Sequence, residues 1–285
     1  MNNTLVISDL DGTLLNQDAK LSRYAISALN AMIISGMNFT IATARTYETA
    51  GIILEDLRLR LPIILMNGVL IYDPVIQEYM QVHKLPDEAI NAIIEAIKKH
   101  DADGLMYELK DGKLTTYYQG NIEQKPLNSF VEERRTRYNK VFEQTDDFSK
   151  IPSDDIIYFV FLDETDKLLD VYNAIKTIPE LSAIMYKDNY SKDLWYLEVH
   201  SANASKKTAL DQMREQYDYD TIIGFGDNRN DIPLFEACDI KIAVMNAVEE
   251  LKEKADHICF ENYADGVVRW LEKNLFTARI MMFPY

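Results

Sequence analysis

The two ends of this 285-residue chain share a pattern that its middle lacks. In both ends, short apolar runs alternate with segments whose apolar residues recur at helical spacing. Residues 5–8, 38–42 and 62–66 form such runs, and Ser22 is placed to cap the helix after the first of them. A short apolar run is typical of a buried parallel strand. The alternation therefore predicts an α/β fold, a doubly wound, Rossmann-like parallel sheet.

The middle of the chain has a different pattern. Asp111-Gly112 is a strong hairpin signal, and the strand-like segments around it are rich in aromatic residues and joined by short turns. We therefore predict an inserted α+β domain at 83–199. Residues 1–82 and 200–285 would then form one core that the insertion interrupts.

The charge balance restricts the partners. The formal net charge is −16, which argues against nucleic-acid binding because that needs a basic face. An acidic protein that binds an anion needs a divalent cation and local basic residues at the site. The two cysteines fit neither a metal site nor a disulfide framework. With no signal peptide and no apolar run long enough for a membrane helix, we expect a cytoplasmic protein without membrane contact.

Two carboxylates follow the first predicted strand directly. Asp9 and Asp11 lie two residues apart, and Gly12 allows the chain to turn away sharply. Two acids at a strand end are unfavourable unless something offsets their charge, and Mg²⁺ does so because it prefers oxygen ligands. The alternative is a calcium loop between helices, which needs a further acid where the chain has Thr13.

Two further motifs come next to predicted strands or helices. Thr43-Ala44-Arg45 follows the second strand, where a hydroxyl and backbone N–H groups could hold phosphate oxygens. Thr43 could equally be a helix cap. Ser205-Lys206-Lys207 opens a helix, where an ammonium group would strengthen an anion site. The alternative there is an ordinary pair of solvated lysines.

A fourth motif, at residues 224–231, takes an apolar strand directly into two acids and two amides. Asp227 fits a further metal ligand, while the alternative is an acidic turn that ends in a helix cap. One phosphate group needs a nucleophile, a metal, a cradle of hydrogen-bond donors and a cation. The four motifs supply all of these at the ends of strands or the starts of helices, where α/β sheets bind ligands.

These motifs resemble those of the haloacid dehalogenase superfamily of phosphatases, in its Cof-type branch with a large α/β cap (type IIB). The resemblance extends over the whole chain. The matching segments are residues 9–14, 43–45, 203–210 and 226–231, and further matches occur at Asn67-Gly68, Asn246-Ala247 and Asp265-Gly266-Val267. Ala44, Lys207 and Asn228 stand where this branch often has glycine.

The resemblance implies a role for each site residue. Asp9 is the nucleophile and a magnesium ligand, and Asp11 is the general acid and base whose backbone carbonyl also binds the metal. Asp227 is the third protein ligand, and Asp231 supports the metal side through hydrogen bonds. The groups that hold the transferring phosphoryl group are Thr43, Lys206, Asn230 and the backbone N–H groups of Leu10 and Ala44.

The predicted function is a Mg²⁺-dependent phosphohydrolase that forms a covalent aspartyl-phosphate. Its substrates would be small phosphorylated metabolites such as sugar phosphates or phosphorylated cofactors and nucleotides, and the protein would be a monomer or a homodimer. Two alternatives remain on the same scaffold: a phosphomutase and a specialised sugar-phosphate phosphatase. A non-catalytic protein that binds a phosphorylated ligand is the third, and it would usually have lost one of Asp9, Asp11 or Lys206.

Overall fold

The computed structural model describes residues 3–187 and 194–276. The chain divides into two compact units, one comprising the residues up to Met80 with those from Ser205 onward, and the other running from Gln81 to Ala204. The second unit is inserted between the two halves of the first. The fold class is α/β with a parallel core sheet and an inserted α+β unit, as predicted. None of the described helices has the length and apolar character of a membrane span.

Strands and helices alternate in the first half of the core, as the sequence pattern predicts. Its elements are β1 (Thr4–Ser8), α1 (Arg23–Ile34), β2 (Asn38–Ile41), α2 (Tyr47–Leu54), β3 (Ile63–Leu65), β4 (Leu70–Asp73) and β5 (Glu78–Val82). The side chain of Ser22 accepts a hydrogen bond from the backbone N–H of Ala25, so it caps α1 as expected.

The inserted unit follows β5. Its elements are α3 (Asp87–His100), β6 (Gly104–Lys110), β7 (Lys113–Gln119), α4 (Pro126–Tyr138), β8 (Glu143–Thr145), β9 (Ile156–Glu164), α5 (Thr165–Ile175), β10 (Leu181–Lys187) and β11 (Leu194–Ser201). The strands form one six-stranded sheet in the order β10-β11-β9-β6-β7-β8. Helices α3 and α5 cover one face of it through a fully buried apolar cluster that includes Ile93, Phe159 and Leu168.

The second half of the core completes the parallel sheet. Its elements are α6 (Lys206–Tyr217), β12 (Thr221–Gly226), α7 (Ile232–Ala237), β13 (Ile240–Val244), α8 (Glu249–Lys252), β14 (His257–Cys259) and α9 (Gly266–Leu271). Helix α6 begins with a capping box in which Ser205 and Thr208 exchange hydrogen bonds. Ile7, Leu210 and Ile222 belong to the buried apolar cluster between this sheet and α6.

The core sheet has the strand order β14-β13-β12-β1-β2, and every neighbouring pair is parallel. Ala42, directly after β2, forms a parallel bridge with Ile64 of β3, which continues into the antiparallel order β3-β4-β5. The chain therefore proceeds outward from β1 on one side and from β12 on the other. This reversal creates a switch point between β1 and β12, where sheets of this kind bind ligands beyond the carboxyl ends of their strands.

Candidate active site

The switch point carries two of the predicted acids. Asp9 follows β1 and Asp227 follows β12, and the backbone N–H of Asp9 donates to the carbonyl oxygen of Phe225 at 3.0 Å. Together with Asp231, these residues place carboxylate oxygens within 4.8 Å of one another. All three side chains are buried, and Asp231 has no exposed surface. The parallel pairing of β1 with β12 therefore brings together acids that lie more than 200 positions apart.

Lys206 supplies the only positive charge that directly contacts this acidic cluster within residues 3–187 and 194–276. Its Nζ donates to Oδ1 of Asp9 at 2.6 Å and to Oδ1 of Asp231 at 2.6 Å. The lysine is the first residue of α6, and its side chain is completely buried. A buried cation with two carboxylate partners satisfies the requirement that charges inside a protein be paired and hydrogen-bonded.

Asp231 organises the segment around it. Its Oδ1 accepts from Lys206, while its Oδ2 accepts from the backbone N–H groups of Asp227 and Asn228 at 3.0 and 3.2 Å. A Cβ on Gly226 would lie only 2.7 Å from the Cβ of Asp231, so this position requires glycine. Both oxygens of Asp231 are thus engaged in holding the lysine and the loop.

The first motif closes tightly around Asp227. The hydroxyl of Thr13 donates to Oδ1 of Asp227 at 3.0 Å. Gly12 has φ +80°, and a Cβ there would lie 2.2 Å from Oδ2 of Asp227. Glycine is therefore needed at position 12 both for the backbone conformation and for the space that the carboxylate occupies.

The cluster contains more negative than positive charge. Burial, and to a lesser extent repulsion from Asp231, raise the pKa of Asp9 to about 7. The attraction of Lys206 lowers this pKa but offsets only part of the rise. Burial and repulsion from Asp9 likewise raise the pKa of Asp227 well above its usual value. Burial alone would lower the pKa of Lys206, but the charges of Asp231 and Asp9 raise it. Buried carboxylates with raised pKa values are typical of a functional site.

These residues fit a hard divalent cation. Three carboxylates and one ammonium group leave an excess of negative charge when all are ionised, and carboxylate oxygens are the ligands that Mg²⁺ and Ca²⁺ prefer. Because both oxygens of Asp231 already accept hydrogen bonds, the side chains best placed to hold a cation are those of Asp9 and Asp227.

The second motif forms a loop at the end of β2. Thr43 is buried, and its Oγ1 accepts a hydrogen bond from the backbone N–H of Arg45 at 3.1 Å. Ala44 is not among the described residues with positive φ, so its methyl group adds no backbone strain of that kind. Leu10, also a predicted contact of the phosphoryl group, is buried at the start of the turn that follows Asp9.

Asp11 has a different hydrogen-bond partner from the three acids of the cluster. Arg45 holds its carboxylate with two bonds, from Nε at 2.6 Å to Oδ2 and from Nη2 at 2.7 Å to Oδ1. The side chain of Asp11 is 32% exposed, whereas that of Arg45 is 12% exposed. Nothing in the spacing of residues 11 and 45 indicates that they form an ion pair, so the sequence alone predicts no role for Arg45.

Asn230 is the last of the predicted phosphoryl contacts. It lies in a short 3₁₀ turn after β12, and its Nδ2 donates to Oδ1 of Asn67 at 3.4 Å. In the sequence Asn67, together with Gly68, is a tight-turn signal and a position that matches the family. In the structure its amide is buried against the residues that carry the predicted chemistry.

The fold and the site together give an α/β protein whose buried acidic cluster, at the carboxyl ends of parallel strands, could hold a metal ion. A family model described as haloacid dehalogenase-like hydrolase matches residues 6–271. The chain therefore belongs to the haloacid dehalogenase-like hydrolases. The predicted identification as a phosphatase of this superfamily, in its Cof-type branch, is confirmed.

Characterised relatives match nearly the whole chain. The 5-amino-6-(5-phospho-D-ribitylamino)uracil phosphatase YitU of Bacillus subtilis is 20% identical over 272 residues, covering 94% of this chain and 96% of the relative. The pyridoxal phosphate phosphatase YbhA of Escherichia coli is 23% identical over 279 residues, covering 96% of this chain and all of the relative.

Solved structures share the fold at similarly low identity. A haloacid dehalogenase-like hydrolase from Bacteroides thetaiotaomicron has a TM-score of 0.79 at 22% identity, over 95% of this chain and 98% of that one. The subclass IIB sugar phosphatase BT4131 has a TM-score of 0.75 at 19% identity, with the same coverage. At this identity the likeness concerns the fold, and the substrate needs separate evidence.

Proposed function

We propose that this protein is a Mg²⁺-dependent phosphatase of small phosphorylated metabolites that forms a covalent aspartyl-phosphate, an acyl phosphate, on Asp9. The observation that carries the proposal is the contact of Lys206 with Asp9 beside Asp227. Lys206 binds Oδ1 of Asp9, and within residues 3–187 and 194–276 no hydrogen bond reaches Oδ2. That second oxygen is therefore the one we assign to attack on phosphorus.

The roles of the chain's own groups follow from their placement. Attack by Asp9 splits one difficult hydrolysis into two steps. The phosphoryl group first moves to Asp9 as the P–O bond to the leaving alcohol breaks, and water then hydrolyses the acyl phosphate and releases inorganic phosphate. Lys206 offsets negative charge as the anionic substrate approaches. Thr43 accepts a bond from the backbone, so its own hydroxyl hydrogen can be donated to a phosphoryl oxygen. Asn230 and the N–H groups of Leu10 and Ala44 would complete the cradle.

The same proposal assigns the metal. Asp9, Asp227 and the backbone carbonyl of Asp11 would hold Mg²⁺, which supplies positive charge to the transferring phosphoryl group. Asp231 would support this arrangement by its bonds to the loop and to Lys206.

The proton transfers are assigned to Asp11. It would protonate the leaving oxygen and later accept a proton from the water that hydrolyses the acyl phosphate. In the structure its carboxylate is bound by Arg45, so we expect the acid to exchange this partner for the substrate oxygen during turnover. The side chain of Asp11 is partly exposed, which leaves it room to rotate away from Arg45.

The substrate class is proposed from the relatives. Those named above act on a phosphorylated ribityl-uracil, on pyridoxal phosphate and on sugar phosphates. We propose a substrate among sugar phosphates and phosphorylated cofactors or nucleotides. We also propose that the inserted unit, predicted from the sequence at 83–199, acts as the cap that selects among them.

Phosphate release tests the function directly. The purified protein is incubated with pyridoxal phosphate, hexose phosphates, the phosphorylated ribityl-uracil and an aryl phosphate, with Mg²⁺ or with a chelator. We expect release that requires Mg²⁺ and favours one of the metabolites. Consumption of a sugar phosphate without release, giving an isomeric phosphate, would instead favour the mutase. Tight binding of a substrate without any conversion would favour the binding protein.

The raised pKa of Asp9 predicts how metal binding depends on pH. A cation must displace the proton that Asp9 holds below pH 7, so the apparent Mg²⁺ affinity is expected to fall by about tenfold per pH unit below that value. Because this pKa is above its usual value in the folded chain, the metal-free protein is expected to lose stability as pH rises through 7. Titration calorimetry at pH 6, 7 and 8 measures the affinity.

Asp9→Asn is the control for this pH dependence, since its amide cannot be protonated in this range. Its residual Mg²⁺ affinity should change less between pH 6 and 8 than that of the wild type. Equal wild-type affinities at pH 6 and 8 would contradict the assignment of Asp9 as a metal ligand with a raised pKa.

A further inference from the structure

The turn that follows β3 has an unusual backbone. Met66, Asn67 and Gly68 have φ values of 49°, 54° and 99°, so three consecutive residues lie in the left-handed region. This region costs roughly 1–2 kcal/mol for a residue other than glycine, and strain of this kind persists only where surrounding contacts hold it. The contacts of this turn therefore indicate what the strain maintains.

The backbone of the turn is bonded to the second motif. The N–H of Met66 donates to the carbonyl oxygen of Arg45 at 3.1 Å, and that of Asn67 donates to the carbonyl oxygen of Thr43 at 3.0 Å. In return the N–H of Thr43 donates to the carbonyl oxygen of Ile64 at 2.9 Å. The loop that carries Thr43 is thus fixed by three hydrogen bonds to β3 and its turn.

The same turn lies directly against the start of α6. A Cβ on Gly68 would be 2.1 Å from the carbonyl oxygen of Ser205 and 2.9 Å from the backbone nitrogen of Lys206. Only glycine allows an approach this close. The position of the residue that carries the buried ammonium group is therefore set in part by this turn.

The side chain of Asn67 contacts the fourth motif. It is 3% exposed, and its Oδ1 accepts the hydrogen bond from Nδ2 of Asn230. One three-residue turn thus touches the segments of Thr43, Lys206 and Asn230, three of the groups to which the proposed function assigns the phosphoryl group. These segments come from three separate parts of the chain.

We infer that Asn67 is a positioning residue of this site. Its backbone conformation holds the loop of Thr43, and its side chain orients the amide of Asn230 toward the phosphoryl group. The inference rests on the proposed function and names a residue through which its binding groups are aligned. Asn67 acts through Asn230 and has no assigned contact with the substrate.

Asn67→Gly separates the side chain from the backbone, because glycine adopts the left-handed conformation without strain. We expect kcat/KM to fall by about tenfold and the inhibition constant of inorganic phosphate to rise by a similar factor. The reason is that a misaligned Asn230 amide stabilises the phosphoryl group less. The thermal midpoint should change little. Asn139→Gly is the matched control: Asn139 is also left-handed, at φ 52°, but it is exposed at the end of α4, and kcat/KM should not change.

A double-mutant cycle with Asn230→Ala tests whether Asn67 acts through Asn230. In the Asn67→Gly background, Asn230→Ala should cost almost nothing more, whereas in the wild type it should cost at least tenfold. Asn67→Asp keeps the Oδ1 acceptor and tolerates positive φ, so in that background Asn230→Ala should cost as much as in the wild type. If Asn67→Gly does not fold, the Asn67→Asp background still tests whether Asn67 acts through Asn230.

Three results would overturn the inference: unchanged kcat/KM in Asn67→Gly, additive effects of Asn67→Gly and Asn230→Ala, or loss of the Asn230→Ala effect in the Asn67→Asp background. The same double-mutant cycle can be measured without turnover, by comparing how far inorganic phosphate raises the thermal midpoint of each variant. A protein that releases no phosphate from any substrate, yet shows this coupling, would disprove the proposed function and leave the role of Asn67 intact.

Discussion

Asp9→Asn is expected to lower turnover by about 10⁴-fold or more, because an amide cannot attack phosphorus and loss of a covalent nucleophile has effects of this size. The same change should not destabilise the metal-free protein at pH 8. Burial and Asp231 raise the pKa of Asp9 to about 7, so its charged form is unfavourable in the folded state and a neutral amide relieves that cost. Phosphate release and thermal unfolding, measured on one preparation, test both expectations.

Asp146→Asn is the matched control for this experiment. Asp146 is 91% exposed in the inserted unit, so the same chemical change there should alter neither turnover nor the unfolding midpoint. An Asp9→Asn variant that retains a tenth of wild-type turnover would remove Asp9 as the nucleophile. A variant that also unfolds at pH 8 would contradict the expectation that a neutral amide relieves the cost of the buried charge at position 9.

The sequence was sufficient to predict which segments meet. Asp9, Thr43 and Asp227 each come directly after a buried apolar run, and such runs become neighbouring parallel strands whose carboxyl ends share one edge. The hydrophobic pattern thus predicts which strand ends lie side by side, because the buried face of a strand sets its register. The sequence also predicted that a helix opens at Ser205-Lys206-Lys207, and the structure has α6 beginning at Lys206.

The pairing of side chains within that neighbourhood was not predictable. The ion pair of Asp11 with Arg45 joins residues 34 positions apart on different loops, and its geometry depends on rotamers that no pattern specifies. The Asn67-Gly68 pair predicts a turn, but the positive φ of Met66 before it depends on contacts from elsewhere, since local preference alone disfavours it. Local patterns determine elements, whereas tertiary contacts select strained conformations.

The buried lysine Lys206 offsets part of the negative charge of the acidic cluster. Lys206→Met keeps a long apolar side chain but removes the buried charge that pairs with Asp9 and Asp231. Breaking a buried ion pair by removing one partner costs roughly 3–5 kcal/mol, since the remaining charges are left uncompensated. We therefore expect a strong loss of stability together with a loss of turnover of at least about 10²-fold.

The pH dependence of this loss distinguishes its cause. Without the ammonium group the pKa of Asp9 should rise further, so this carboxylate can take up a proton as pH falls, and the destabilisation measured at pH 8 should shrink toward pH 5. Lys207→Met is the matched control: that lysine is 41% exposed and pairs with Asp211 on the surface of α6, so the unfolding midpoint of this variant should match that of the wild type. Urea unfolding of both variants at pH 5 and 8 measures the difference. A destabilisation of Lys206→Met that is equal at both pH values would indicate lost packing instead of unpaired charge, and the electrostatic account of the site would then be wrong.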